Sequence, residues 1–202
     1  NRLILAPLWL RKRCVRMIRR ETMRAREGKP AHIMAKMNSL CDQEIIACLY
    51  EASCAGVKIE LVVRGICCLK VGIPGISENI HINGIIDRYL EHSRIFIFAN
   101  GGEEKYYIGS ADWMPRNLDN RIEVLAPVYD KEIQADLKRI VCYGYRDTAK
   151  GRIVDGTGEN RPWENRPSTL CKDFTPALAE AETATVVFRS QEELYRKYKN
   201  TL

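Results

Sequence analysis

The sequence lacks any run approaching the ~18 consecutive apolar residues that a membrane-crossing helix needs. It opens Asn1-Arg2-Leu3-Ile4-Leu5, without an initiator methionine or a signal-peptide layout, and is expected to be a cytoplasmic portion cut from a longer chain. No segment is low in complexity and no repeat recurs at a fixed period. Its eight cysteines, at 14, 41, 48, 54, 67, 68, 142 and 171, include no C-x-x-C pair. That spacing excludes a zinc framework of paired ligands. Cys14, Cys48 and Cys142 fall inside apolar helical patterns, so reduced cysteines acting as small hydrophobes are expected.

What is present is enough for one packed core: 46% of 202 residues are hydrophobic. The net charge of +6 is uneven. Residues 11–29 hold nine basic and two acidic residues, so this one segment carries +7 and the remainder −1. Such a stretch either attracts a polyanion or is a solvated helix face.

Leu10, Cys14, Met17, Ile18 and Ala25 recur at three- and four-residue steps, predicting a basic connecting helix over about 8–27, stopped by Gly28 and Pro30. Residues 31–37 alternate like a strand. A helix follows, with Ser39 and Asp42 as its capping box and Ile45, Ile46, Leu49 and Ala52 on its apolar side. The β-branched run Lys58–Val63 then completes a β-α-β unit, for which parallel pairing is the default. Residues 80–86 fit a strand or a helix. Two strands flank the turn Asn100-Gly101-Gly102 and predict a β-hairpin over 94–109. A strand over 121–128 and a helix over 130–142 follow, then a long loop over 144–172, a β-like run over 183–188, and a helix capped by Ser190 with Glu193. The fold class is α/β. The expected organisation is a connecting helix over 1–30, a catalytic domain over 31–143, and a loop and C-terminal helix over 144–202 packing on that domain.

The hairpin brings two polar groups together. Glu91-His92-Ser93-Arg94 precedes its first strand and Gly109-Ser110-Ala111-Asp112 ends its second. A His-x-Arg pair joined by a return strand to Gly-Ser-x-Asp resembles the half-site of the phospholipase-D-like superfamily, which implies a mixed sheet flanked by helices. Hydrolytic members carry His-x-Lys with an Asp seven residues beyond the His. Here the cation is Arg94 and position 99 is Ala. The parts that remain suit phosphoryl chemistry: an imidazole to move protons, a guanidinium for phosphate oxygens, and a hydroxyl beside a turn.

The runs Ala35–Leu40, Val63–Leu69, Ser77–Ile80, Leu90–Arg94 and Gly109–Asp119 resemble the bacterial long-chain polyphosphate kinases, and the likeness extends over about residues 3–143. The resemblance implies reversible transfer of the terminal phosphate of ATP to polyphosphate, through a phosphohistidine in the preceding domain. His32 is not that histidine, because it stands four residues before Lys36 rather than two. Magnesium and ATP are the implied cofactors, with the metal ligands expected outside this chain. ATP or ADP, polyphosphate and the upstream domains are the implied partners. No nucleic acid is expected, and a homo-oligomeric or membrane-associated parent is left open.

Carried over from the family, Arg64 contacts nucleotide phosphates, and His92 belongs to the nucleotide site and assists transfer as a proton donor or acceptor. Arg64 also leaves a strand end, where ligands of open α/β sheets bind, and its fork suits phosphate oxygens. The bland alternatives are an ion pair at the sheet edge for Arg64 and a structural histidine for His92. Lys36, Asn38, Arg94, Ser110, Asp112, Arg116 and Asn117 are further candidates, although polar groups at strand ends often cap turns. Two other functions stay open on the residues: a phosphodiesterase half-site completed across a dimer, and a polyanion-binding module without chemistry.

Overall fold

The structure is a computed structural model describing residues 3–164, 168–174 and 187–199. Its framework is alternation. In β2 (His32–Met37), Ile33, Ala35 and Met37 face one side and Met34 the other. Neighbouring strands repeat this: β3 (Lys58–Val63) turns Ile59, Leu61 and Val63 to the first side and Val62 to the second. β5 (Ile95–Phe98) divides Phe96 and Phe98 from Ile95 and Ile97. A sheet apolar on both faces needs helices on both. The first face is covered by α1 (Leu10–Arg26) and α2 (Gln43–Cys54), the second by α4 (Lys131–Arg146).

Among the described residues, eight strands form one sheet in the order β1-β7-β6-β5-β2-β3-β4-β8. β2, β3 and β4 (Ile80–Ile85) run parallel. β1 (Ile4–Ala6), β6 (Lys105–Gly109), β7 (Glu123–Val128) and β8 (Gly151–Ile153) join antiparallel. The expected mixed sheet flanked by helices is what forms. Parallel pairing of the β-α-β unit and the hairpin also hold, and residues 80–85 are strand rather than helix. Residues 3–30 contribute β1 to the sheet edge, and α1 packs Leu10, Cys14 and Ile18 into the core shared with β2 and β3.

Several expectations are corrected. The cap of α2 is Asp42 itself, whose Oδ1 accepts from Ile45 N at 3.0 Å, and Ser39 lies outside the helix. The C-terminal helix α5 (Ser190–Tyr198) has Arg189 at its cap position. Ser190 does not cap because its N–H and hydroxyl both donate to buried Asp147 Oδ2, at 2.7 and 2.6 Å. The expected loop over 144–172 begins with the last turn of α4 and contains β8, three residues long and too short for alternation to reveal. Of the β-like run at 183–188, residues 183–186 lie outside the described residues. Cys142 and Cys171, expected reduced, are joined in a disulfide with Cα atoms 5.3 Å apart. The segment around Cys171 folds over the α4 face of the sheet, where Ser168 Oγ donates to Glu60 at 2.7 Å.

Half-buried charge ties the elements where β2 begins and β5 ends. Glu104 accepts from His32 at 2.9 Å, from Lys138 of α4 at 2.8 Å, and from the Tyr106 hydroxyl. Burial alone would raise its carboxyl, but these bonds outweigh it and hold it at about 2. The Tyr106 phenol is pushed up, by burial and by that same carboxylate. A carboxylate below its unfolded value of ~4.3 adds stability that is present above that value and lost as pH falls toward 2. The chain should therefore lose stability between about pH 5 and pH 2. Urea unfolding across that window should show a shallower slope in Glu104→Gln, together with lower stability at neutral pH.

Candidate functional site

Five chain segments meet at one end of the sheet. β2 ends before Asn38, β3 before Arg64 and β6 before Ser110, while β5 starts after Arg94 and β7 just before Val124. Two glycines allow the approach. A Cβ on Gly65 would lie 2.7 Å from Asn38 O, and one on Gly109 2.7 Å from Val124 O. Beneath them Trp113 is fully buried and stacks on Phe96 at 5.0 Å. Its carbonyl accepts from both Cys41 N and Asp42 N, at 2.8 and 3.0 Å, which fixes the turn after Asn38.

Asp112 is the hub. Its Oδ1 accepts from Asn38 N at 2.8 Å, Asn38 Nδ2 at 3.2 Å and Arg94 Nε at 3.1 Å, and its Oδ2 accepts from Arg94 Nη2 at 3.2 Å. Asn38 in turn accepts from Arg64 Nε at 2.5 Å. Arg94 Nη1 donates to His92 O at 3.0 Å and sits 3.1 Å from both ring nitrogens of exposed His92. An atom equidistant from both nitrogens lies against the ring rather than in line with one lone pair. The ring is therefore held loosely. Arg64 is half-buried, and its Nη1 and Nη2 make no bond among the described residues, leaving the fork open.

The structure thus brings Asn38, Arg64, His92, Arg94 and Asp112 together. Lys36 stands beside them at the end of β2, but its buried ammonium is paired with Glu91. Ser110 and Asn117 form a second group: both donate to Glu123, Asn117 at 2.6 Å, and the Ser110 hydroxyl also accepts from Val124 N at 3.1 Å. Asn117 Oδ1 is buried without a partner. Arg116 is exposed on the short helix α3 (Pro115–Asp119), and its side chain makes no bond among the described residues. Sequence reading missed Glu91 as an actor, although it adjoins His92, and missed Gln191, whose amide reaches Glu91 across a hundred residues of chain. A groove of about 830 Å³ lies elsewhere, lined by Arg13, Lys105, Tyr107 and Tyr129, and contains none of these residues.

A mixed sheet with a His-x-Arg pair and a Gly-Ser-x-Asp turn at one end defines an α/β domain of the phospholipase D fold. The crystal structure of the phospholipase D family member Nuc from Salmonella typhimurium matches with a TM-score of 0.52 at 15% identity, over 76% of this chain and 97% of that one. Residues 3–172 match the family described as Polyphosphate kinase C-terminal domain 2, and the chain belongs to that family. A polyphosphate kinase from Pseudomonas putida is 56% identical over 176 residues, 87% of this chain and 23% of that protein. The crystal structure of polyphosphate kinase from Porphyromonas gingivalis matches with a TM-score of 0.84 and 38% identity, over 100% of this chain and 28% of that one. The chain spans about a quarter of the length of the curated relatives it matches.

The Arg94–Asp112 pair is desolvated on both sides, with side-chain exposures of 12% and 8%. Removing one partner of such a pair strands the other charge, at roughly 3–5 kcal/mol. Asp112→Ala should destabilise the chain by about that amount. Asp112→Asn, which keeps an acceptor for the Asn38 amide, should cost clearly less. Equilibrium urea unfolding of the two variants measures the difference.

Proposed function

We propose that this chain is the part of an ATP:polyphosphate phosphotransferase that holds nucleotide phosphates at one end of the sheet and assists transfer. In the reaction, the terminal phosphate of ATP passes to a histidine upstream of this chain, releasing ADP, and from there to a terminal oxygen of polyphosphate. The reverse sequence regenerates ATP. The observation that carries the reading is the open fork of Arg64 beside exposed His92, both braced through Asn38 and Arg94 onto one carboxylate. A guanidinium fork matches two phosphate oxygens. Imidazole changes charge between pH 5 and 8, which suits a transfer run in both directions. With its terminal nitrogens free, Arg64 binds the developing charge, while His92 gives or takes a proton. The supply of ATP puts such an enzyme in the cytoplasm, and among the described residues no helix is long and apolar enough to cross a membrane.

Magnesium would neutralise phosphate charge in such a reaction. The residues here do not fit a magnesium cage. Among the described residues no group of three His, Cys, Asp or Glu side chains is arranged to hold an ion. Asp112, Glu91 and Glu123 have both oxygens committed within the protein. No step is therefore assigned to a metal held by this chain.

The test separates charge from proton transfer in the parent enzyme. Losing charge-assisted bonds of roughly 1.5–3 kcal/mol, Arg64→Ala should raise the KM for ATP and slow transfer, and Lys should restore it only in part. His92→Gln should lower kcat by about 10²- to 10⁴-fold and remove a limb of the pH profile. Near-wild-type turnover in His92→Gln, with an unchanged profile, would reject the proton role. This chain alone, incubated with terminally labelled ATP, should form no polyphosphate and carry no acid-labile label.

A further inference from the structure

His92 sits in an exposed connection between β4 and β5, where Ile86, Tyr89 and Leu90 all face solvent. Such a segment has few apolar contacts to fix it, and loops of that kind lie at the low-stability end of a fold. Yet a reaction needs its groups placed to within about 0.5 Å. What holds this connection comes from the far end of the chain. Gln191, in the first turn of α5, accepts from Tyr89 N at 3.0 Å through Oε1 and donates to Tyr89 O at 2.9 Å through Nε2. The same Nε2 donates to Glu91 Oε1 at 2.6 Å, and Glu91 Oε2 accepts from Lys36 at the end of β2. The orientation of the amide is fixed by its partners, since a backbone N–H can only donate and a carbonyl can only accept.

Two anchors keep Gln191 in place. Arg189 grips Asp87 with two bonds, Nε to Oδ2 at 2.8 Å and Nη2 to Oδ1 at 2.7 Å. Ser190 is held twice by Asp147, which is fully buried. Residues 87, 89 and 91 are thus each bonded by residue 189 or 191, and residue 92 follows directly.

We propose that Gln191 is a positioning residue for His92: its side-chain amide clamps Tyr89 and Glu91 and holds the connection in the register that presents the imidazole beside Arg94. The role in transfer rests on the functional reading above, while the clamp itself does not. A clamp made of one donor group and one acceptor has a signature that packing lacks. Gln191→Met keeps the stem and removes the amide. Gln191→Glu keeps the shape, but sets a carboxylate against the Tyr89 carbonyl and the Glu91 carboxylate.

Both variants should be made in the parent enzyme and followed by hydrogen exchange and by kinetics. Exchange over residues 86–92 should quicken in both while β2 and β3 stay protected. Turnover should fall roughly 10- to 100-fold, the scale of a misplacement of about 1 Å. KM for ATP should stay near its wild-type value, and the pH profile of kcat should shift, as for a group acting in transfer rather than in binding. Gln191→Glu should be at least as impaired as Gln191→Met. A near-wild-type Gln191→Glu overturns the clamp, since only packing would then matter. Faster exchange with unchanged kcat and pH profile overturns the positioning role. A wild-type parent that moves no phosphate from ATP overturns the functional reading and the role in transfer with it, and the exchange data then still decide whether the amide holds the connection.

Discussion

A single carboxylate, Asp112, decides how the site end of the sheet is built. It arrives at the end of β6, yet it satisfies the first backbone N–H beyond β2 and neutralises the guanidinium that begins β5. Arg64 and His92 are each met by one of those partners. Asn38 is turned so that its amide oxygen faces Arg64, and Arg94 is turned so that one nitrogen lies against His92. A buried ion pair is weak evidence for stability, and its best-attested use is to fix one arrangement among several. Here the fixed arrangement leaves the Arg64 fork open.

Acids in this fold sit in contrasting surroundings. At the site, Asp112 meets Arg94 and Glu91 meets Lys36. Away from it, Glu21 on α1 is buried, with Oε1 accepting from Asn100 N and from Arg24, both at 3.0 Å, and with Oε2 unpartnered. Burial pushes its carboxyl up, against the pull of those bonds. The basic helix is thus a packing element as well as a charged surface. Arg11 ties it to Asp42 at 2.9 Å and to Asp119, and Arg24 serves Glu21.

Much of this was legible where the pattern is local. Alternation over 31–37 and 58–63 gave two strands, and turn chemistry at Asn100-Gly101-Gly102 gave the hairpin, whose register, Ile95 opposite Ile108, brings Arg94 to Asp112. Arg64 and Asn38 meet because β2 and β3 run parallel in register, Met37 beside Val63. Non-local pairing was not legible: nothing in residues 4–6 says that they lie against β7, and three residues are too few for β8 to announce itself. The disulfide escaped for the same reason, since its cysteines are 29 positions apart with no spacing rule between them. Lys36, one of the further candidates in the sequence, is paired with Glu91. Gln191 carried no local signal at all.

The distance along the chain between Glu91 and Gln191 has a temporal side. A ribosome adds about 5–20 residues per second and domains fold from the N-terminus as they emerge. The hundred residues separating these partners therefore leave the connection around His92 without its Gln191 bonds for roughly 5–20 s after it has been made. Strands β2 and β3 can pair within that interval, and so can the hairpin. Those bonds form only when α5 docks, so a nascent chain would carry the right residues on the right strands before Gln191 reaches Tyr89 and Glu91.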